Sequence, residues 1–174
     1  MNPKIKLILK IFSNTLLILA VALAFLLHGF QLFGLTPYSV LSGSMERVYP
    51  TGSLIYIKKV DTAELKVDDV ITFRMASGSI ATHRIIELAK DDSQPGVTLF
   101  RTKGDENDIA DGERVSEQSV IGTPVFCIPY LGYLAVYMST PSGRIVSITV
   151  AVALVLIELI ISLLIDDKGK KIKN

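Results

Sequence analysis

The chain has 174 residues, of which 49% are hydrophobic and 20% charged, and its mean hydropathy of +0.46 exceeds that of most soluble domains of this size, which indicates membrane-embedded segments. The net charge is +1, and the lysines of the chain crowd its two ends. There they flank apolar runs instead of forming one basic patch, which excludes the pattern of a nucleic-acid-binding protein. One cysteine and two histidines exclude an internal disulfide and offer no familiar zinc spacing, so we expect no metal and no cofactor.

The first predicted element is a transmembrane helix over residues 11–35, preceded by a basic segment over residues 1–10. Its central part, Leu16 to Leu27, carries no polar side chain. About twenty helical residues cover the roughly 30 Å hydrocarbon core of a bilayer. A cleavable signal peptide is the alternative, because Ala22-Leu23-Ala24 has the small residues of a cleavage site. The run stays apolar beyond that point, which favours a retained anchor.

A second transmembrane helix is predicted over residues 144–165, followed by a basic tail over residues 166–174. Between Ile145 and Ile165 the one charged residue is Glu158, and an ionisable group in a membrane needs a partner, a cavity or the interface. We expect Glu158 either to reach the cytosolic interface or to contact the first span or another protein. Basic residues at both ends predict cytosolic termini and a two-span protein of the cell membrane. Residues 36–143 would then lie on the extracytoplasmic side.

Residues 36–143 have the periodicity of β-strands. Short β-branched or aromatic runs occur over residues 53–57, 70–75, 80–86 and 97–101, separated by Gly, Asp and Ser clusters. Residues 75–80 are typical of a hairpin connection. The predicted fold class is mainly β, a small antiparallel domain flanked by one N-terminal and one C-terminal transmembrane helix.

Two side chains in this domain suggest nucleophilic chemistry. Ser44 follows the first span closely, and a serine hydroxyl needs a neighbouring base before it becomes a nucleophile. His83 is the only histidine outside the predicted spans. A histidine base also needs an acceptor that fixes its tautomer. The candidates are Asp105, Asp108 and Asp111.

A serine–lysine pair is the alternative chemistry. A lysine base must lie among apolar neighbours so that it can lose its proton near neutral pH. The lysines of the domain stand beside other charges or turns, and none lies on a strand as apolar as the one that carries His83. The residues therefore favour the histidine. The candidate lysines that this disfavours are Lys58, Lys59, Lys66 and Lys103.

Several motifs, in this order and approximate spacing, resemble those of type I signal peptidases. The resemblance is to the branch that has a histidine where other bacterial enzymes have a catalytic lysine, a branch that covers archaeal, endoplasmic-reticulum and some Gram-positive enzymes. The motifs are Leu41-Ser42-Gly43-Ser44-Met45-Glu46, Pro50-Thr51-Gly52-Ser53, Thr82-His83-Arg84-Ile85, Thr102-Lys103-Gly104-Asp105, Ile121-Gly122 and Ile128-Pro129-Tyr130-Leu131-Gly132-Tyr133.

The resemblance implies roles for the matching residues. Ser44 is the implied nucleophile, His83 the general base and Asp111 the aspartate that supports the histidine. Asp105 stands at a second sensitive acidic position, and the choice between the two aspartates stays open. Ser42 corresponds to a serine that helps to stabilise the oxyanion in the lysine-type enzymes. Arg47 departs from the family motif, which usually has proline at this position. Without the φ constraint of proline, we expect the loop to be less rigid than in the family.

The resemblance implies a membrane-bound serine endopeptidase that cleaves signal peptides from exported proteins after small residues, through an acyl-enzyme. Nine residues separate Leu35 from Ser44, so Ser44 lies within roughly 32 Å of the predicted end of the first span, close to where signal peptides leave the membrane. The implied partners are signal peptides of preproteins, the lipid bilayer and the secretion translocon. The alternatives are a catalytically silent, membrane-tethered β module that binds exported polypeptides or a partner, and a processing protease with one dedicated client.

Overall fold

The computed structural model describes residues 3–90 and 97–170, so the outermost residues of both predicted basic segments lie outside the described residues. The chain divides into two compact units, one of residues 30–136 and one formed by the apolar helices before and after it. In chain order the elements are helix α1 (Pro3–His28), a 3₁₀ turn (Gly29–Phe33), strands β1 (Leu35–Ser39), β2 (Leu54–Lys58), β3 (Val70–Arg74), β4 (Ile80–Lys90), β5 (Thr98–Lys103), β6 (Val115–Ser116) and β7 (Val120–Ile128), then helices α2 (Leu131–Ser139) and α3 (Pro141–Lys170).

The seven strands form one antiparallel sheet in the order β1-β2-β7-β3-β4-β5-β6. The predicted antiparallel β fold is therefore confirmed, as are the four predicted strands, which correspond to β2, β3, β4 and β5. The predicted connection over residues 75–80 joins the antiparallel pair β3 and β4. Strands β1, β6 and β7 were not predicted.

Strand β7 escaped prediction because it contains two residues that normally interrupt strands, Gly122 and Pro124. It pairs with β2 on one side and β3 on the other, with a register shift in each ladder. Gly122 has φ +154°, and a Cβ there would lie 2.1 Å from the carbonyl oxygen of Lys58. A larger residue would therefore push β7 away from β2.

One hydrophobic core is built from alternate positions of the central strands. Ile71, Phe73, Ile85 and Phe100 are each at most 3% exposed. Burying each such side chain contributes about 1.5–3 kcal/mol. Ile71 lies opposite His83 in the β3–β4 register, and side chains of directly opposed residues share a face. His83 therefore lies on the face of the sheet that carries the core.

The predicted end of the first helix at Leu35 was wrong. Helix α1 ends at His28, the 3₁₀ turn ends at Phe33, and Gly34 adopts φ +75°, which continues neither helix. Leu35 is the first residue of β1 and pairs with Lys58. Leu35 continues the apolar run of the helix, so composition alone does not separate the first residue of β1 from the end of a span. Helix α1 also begins at Pro3, inside the predicted basic segment.

Helices α1 and α3 are each long and apolar enough to cross a membrane. They pack against each other, and the hydroxyl of Ser13 donates a hydrogen bond to the carboxylate of Glu158. Of the two expected arrangements of Glu158, the structure therefore shows the contact with the first apolar helix. Helix α3 begins at Pro141, three residues before the predicted span, because Thr140 accepts a capping bond from the Gly143 N–H.

Candidate active site

Ser44 lies in a loop, residues 40–53, that connects β1 and β2. Two backbone hydrogen bonds close its neck: Val40 N–H donates to the Ser53 carbonyl at 2.9 Å, and Gly52 N–H donates to the Val40 carbonyl at 2.9 Å. Met45, next to Ser44, is only 2% exposed and anchors the loop in the protein interior. The loop is therefore a packed element, and we call it the Ser44 loop.

The Ser44 loop docks on the acidic turn, residues 104–111. Glu106 N–H donates to the Ser44 carbonyl at 3.0 Å, and Asp105 N–H donates to the Met45 sulfur at 3.2 Å. Gly104 permits this approach, since a Cβ there would lie 2.7 Å from the Ser44 carbonyl oxygen and 2.8 Å from the Ser44 Cβ. The acidic turn thus fixes the position of Ser44 relative to the sheet.

Three predicted side chains form one hydrogen-bonded line. His83 Nε2 lies 3.1 Å from Ser44 Oγ, and His83 Nδ1 lies 2.6 Å from Asp111 Oδ2. The imidazole is largely buried and meets the ring of Phe73 edge-on, with 6.1 Å between the ring centroids. Because an ionised carboxylate can only accept, Nδ1 carries the proton and the lone pair of Nε2 faces the Ser44 hydroxyl. Such a pairing can remove a proton from a serine.

Asp105 does not contact the histidine. Its carboxylate receives two hydrogen bonds from Arg84, from Nε at 2.9 Å and from Nη2 at 2.7 Å. The Arg84 guanidinium holds the pKa of Asp105 below its ordinary value, chiefly through these bonds. Arg84 also donates from Nη1 to the carbonyl of Asp68 at 2.7 Å. The two aspartates therefore occupy different environments, and only Asp111 is within reach of His83.

The Arg84–Asp105 pair should make the free energy of unfolding depend on pH. Because the folded pKa of Asp105 is lowered from 3.8, the pair stabilises the fold above the unfolded value and loses this contribution as the pH falls through the folded value. We expect Asp105→Asn to lower the free energy of unfolding by about 1 kcal/mol at pH 7. The deficit should shrink in strong acid. Denaturant unfolding at pH 7 and at acid pH measures this loss of stability, with Asp108→Asn as the control because Asp108 is exposed. An equal loss at the two pH values would contradict a stabilising charge on Asp105.

Ser42 lies beside Ser44, with 3.4 Å between the two hydroxyl oxygens. Both serines border a cavity of about 740 Å³ that also reaches His83. Its lining includes residues 38–42, which run from the end of β1 into the Ser44 loop, and residues 80–83 at the start of β4. The cavity has room for several residues of an extended peptide next to the Ser44 hydroxyl.

No family model matches the sequence. Among curated proteins the chain is 48% identical over 89 residues to "Signal peptidase I W" of Bacillus subtilis, a match that covers 51% of this chain and 45% of that protein. It is 32% identical over 109 residues to "Signal peptidase complex catalytic subunit SEC11" of Eremothecium gossypii, covering 58% of this chain and 64% of that protein. It is 28% identical over 108 residues to the human "Signal peptidase complex catalytic subunit SEC11C", covering 58% and 55%.

The chain is a relative of type I signal peptidases. The resemblance seen in its motifs is thereby confirmed, including the similarity to Gram-positive and endoplasmic-reticulum proteins. The chain spans about half the length of the curated relatives it matches.

Arg47 marks where this signal peptidase relative differs from the usual motif. Its Nε lies 2.8 Å from a Glu106 carboxylate oxygen, although the Arg47 side chain is otherwise exposed. The neighbouring Glu46 carboxylate accepts hydrogen bonds from the Thr51 backbone N–H at 3.0 Å and from the Thr51 hydroxyl at 2.6 Å, and these bonds lower the pKa of Glu46. These contacts of Glu46 and Arg47 therefore restrain a loop that lacks the usual proline.

Three residues that shape the signal peptidase-like site were not predicted as such: Arg84, Thr102 and Gly104. Each appears in a quoted motif, but its contact depends on strand register rather than on spacing along the chain. Thr102 lies opposite Ile85 in the β4–β5 register, on the face that carries His83 two residues earlier. A reliable strand register is the sequence signal that would have found it.

Proposed function

We propose that the chain is a membrane-bound signal peptidase, a serine endopeptidase that removes N-terminal signal peptides from exported proteins after small residues. The observation that carries this proposal is the line Ser44–His83–Asp111, with separations of 3.1 and 2.6 Å, beside a cavity of about 740 Å³ in a chain related to signal peptidases. Ser44 acts as nucleophile, His83 as general base and Asp111 as the group that orients the imidazole.

Acylation begins when His83 Nε2 takes the proton of the Ser44 hydroxyl as Oγ attacks the scissile carbonyl carbon. The carbonyl π electrons move to oxygen and give a tetrahedral oxyanion. When the oxyanion collapses, the C–N bond breaks and His83 gives its proton to the departing amine. Asp111 stabilises the imidazolium that exists between these two proton transfers. The mature protein leaves, and the signal peptide stays as an ester on Ser44.

The developing oxyanion needs donors that are already in place. We propose the Ser44 backbone N–H and the Ser42 hydroxyl for this role, because Ser42 Oγ lies 3.4 Å from Ser44 Oγ. For the second half-reaction a water molecule replaces the amine. His83 takes the water's proton, hydroxide attacks the ester carbonyl, and the returned proton restores the Ser44 hydroxyl. The free enzyme and the signal peptide are the products.

Substrate binding is proposed to use the outer edge of the sheet. Strand β1 lies at one end of the strand order, and its chain continues directly into the Ser44 loop. An extended peptide can add to such an edge through backbone hydrogen bonds, and side-chain pockets then set specificity. Tyr38, Tyr49 and Ile55 contribute bulky side chains to the cavity lining, consistent with a preference for small substrate residues.

For the membrane arrangement, we propose two spans drawn from α1 and α3, with residues 36–143 as the extracytoplasmic peptidase region. Residues 1–10 and 166–174 would be cytosolic basic segments. The support is the length and apolarity of the two helices together with the lysines near both ends. The lipid bilayer is then a constant partner. A secretion translocon, which delivers preproteins to the same surface, is a proposed partner as well.

The proposal is tested by cleavage of a purified preprotein in proteoliposomes. We expect one product whose new N-terminus, read by mass spectrometry, follows a small residue at the end of the signal peptide. Replacing that small residue of the substrate with leucine should lower the cleavage rate by at least about tenfold. A silent binding module would release no product, and a protease with one client would process its own preprotein and leave unrelated preproteins uncut.

A further inference from the structure

Thr102 is a completely buried threonine on β5 whose hydroxyl is hydrogen-bonded to Asp111. Its Oγ1 donates a hydrogen bond to Asp111 Oδ2 at 2.6 Å, and the residue is 0% exposed. The same Asp111 oxygen lies 2.6 Å from His83 Nδ1. A third contact joins the two chain segments, since Asp111 N–H donates to the Thr102 carbonyl at 2.9 Å. Thr102 is thus bonded to both the backbone and the carboxylate of the residue that faces the histidine.

Two donors on one carboxylate oxygen restrict where that oxygen can lie. An aspartate side chain rotates broadly about its terminal torsion unless neighbours hold it. His83 alone supplies one donor to this oxygen. The Thr102 hydroxyl stays on a strand that pairs with β4 and β6, so it is a fixed reference for the carboxylate.

We propose that Thr102 is a positioning residue, which fixes the Asp111 carboxylate so that it holds the His83 imidazole in line with Ser44. This inference rests on the proposed peptidase function for its kinetic consequences, but not for its structural ones. Thr102 does not line the cavity beside Ser44, so its loss should act on the chemical step rather than on substrate binding.

The chain offers a matched control for burial and hydroxyl loss. Thr72 on β3 is also 0% exposed, and its hydroxyl oxygen lies 2.8 Å from that of Thr82. Replacing either threonine with valine deletes one buried hydrogen bond and keeps the shape of the side chain. Both variants should therefore lose comparable stability. If Thr102 positions Asp111, only its variant should change the state of the histidine.

The experiment compares Thr102→Val, Thr102→Ser and Thr72→Val in the full chain. We expect Thr102→Val to lower kcat by about tenfold or more with KM unchanged, the effect of losing about 1.4 kcal/mol in the transition state. Thr102→Ser, which keeps the hydroxyl, should restore most of the rate. Thr72→Val should leave kcat within about twofold of the parent. A Thr102→Val enzyme with the parent kcat would overturn the proposal.

A second readout is independent of activity. In ¹H NMR spectra of the detergent-solubilised chain, the His83 Nδ1 proton should give a downfield signal that is shifted, or lost by exchange with water, in Thr102→Val. The signal should persist in Thr102→Ser and Thr72→Val. If the parent chain cleaves no preprotein, the proposed function fails, while this signal still decides the role of Thr102. If Thr102→Val does not fold, Thr102→Cys replaces it. Its weaker donor should still shift the signal from its position in the parent chain, and an unchanged signal would overturn the proposal.

Discussion

Replacing either Ser44 or His83 with alanine is expected to reduce preprotein cleavage by about a millionfold, and the double variant Ser44→Ala/His83→Ala should be no slower than either single variant. The reason is that the two side chains act as one unit. His83 Nε2 lies 3.1 Å from Ser44 Oγ, and without the hydroxyl the imidazole has no proton to accept. Residual cleavage would come only from binding and oxyanion stabilisation.

Single-turnover assays with enzyme in excess measure these rates and separate chemistry from product release. His28→Ala is the matched control, because His28 is the other histidine of the chain and lies at the end of α1. It should cleave at the parent rate. Additive losses in the double variant, or retained activity in His83→Ala, would contradict a shared mechanism.

The second large effect is expected at Asp111. Asp111→Ala should lower kcat by about 10⁴-fold while the protein stays folded, because the His83 imidazole loses the acceptor that fixes its tautomer and stabilises its charge. Asp105→Ala removes a carboxylate from the same turn but breaks the bonds to Arg84 instead. We expect it to lower stability first and the rate by a much smaller factor.

Circular dichroism and thermal unfolding of both variants, next to the cleavage rates, distinguish a chemical loss from a folding loss. Asp111→Ala should be folded and nearly inactive. An Asp105→Ala enzyme that is folded yet as inactive as Asp111→Ala would show that the two aspartates share the catalytic role.

The choice between these aspartates could not be made from the sequence, because both lie in one short acidic turn. Strand geometry separates them. His83 and Arg84 are consecutive on β4, so their side chains point to opposite faces. Asp111 bonds to His83 on the core face, and Asp105 bonds to Arg84. Knowing the acidic spacing alone gives neither the strand nor the face that each carboxylate meets.

Much of the architecture was predictable because local patterns agreed with the final structure. β-branched runs gave four strands, and long apolar runs gave two helices. The boundary at Leu35 was missed because Leu35 continues the apolar run of the helix, although the positive φ of Gly34 has already ended the helical turn. Strand β7 was lost because its Pro124 is tolerated at a register shift, which no local pattern reveals.

The most direct test of the account is covalent labelling of Ser44 by a signal-peptide analogue that carries a diphenyl phosphonate in place of the scissile carbonyl. Attack by Ser44 Oγ on phosphorus would displace phenoxide and leave a stable adduct. Mass spectrometry should find this adduct on the peptide containing Ser44 in the parent chain, and no adduct in Ser44→Ala. An adduct on another residue, or equal labelling of Ser44→Ala, would contradict it.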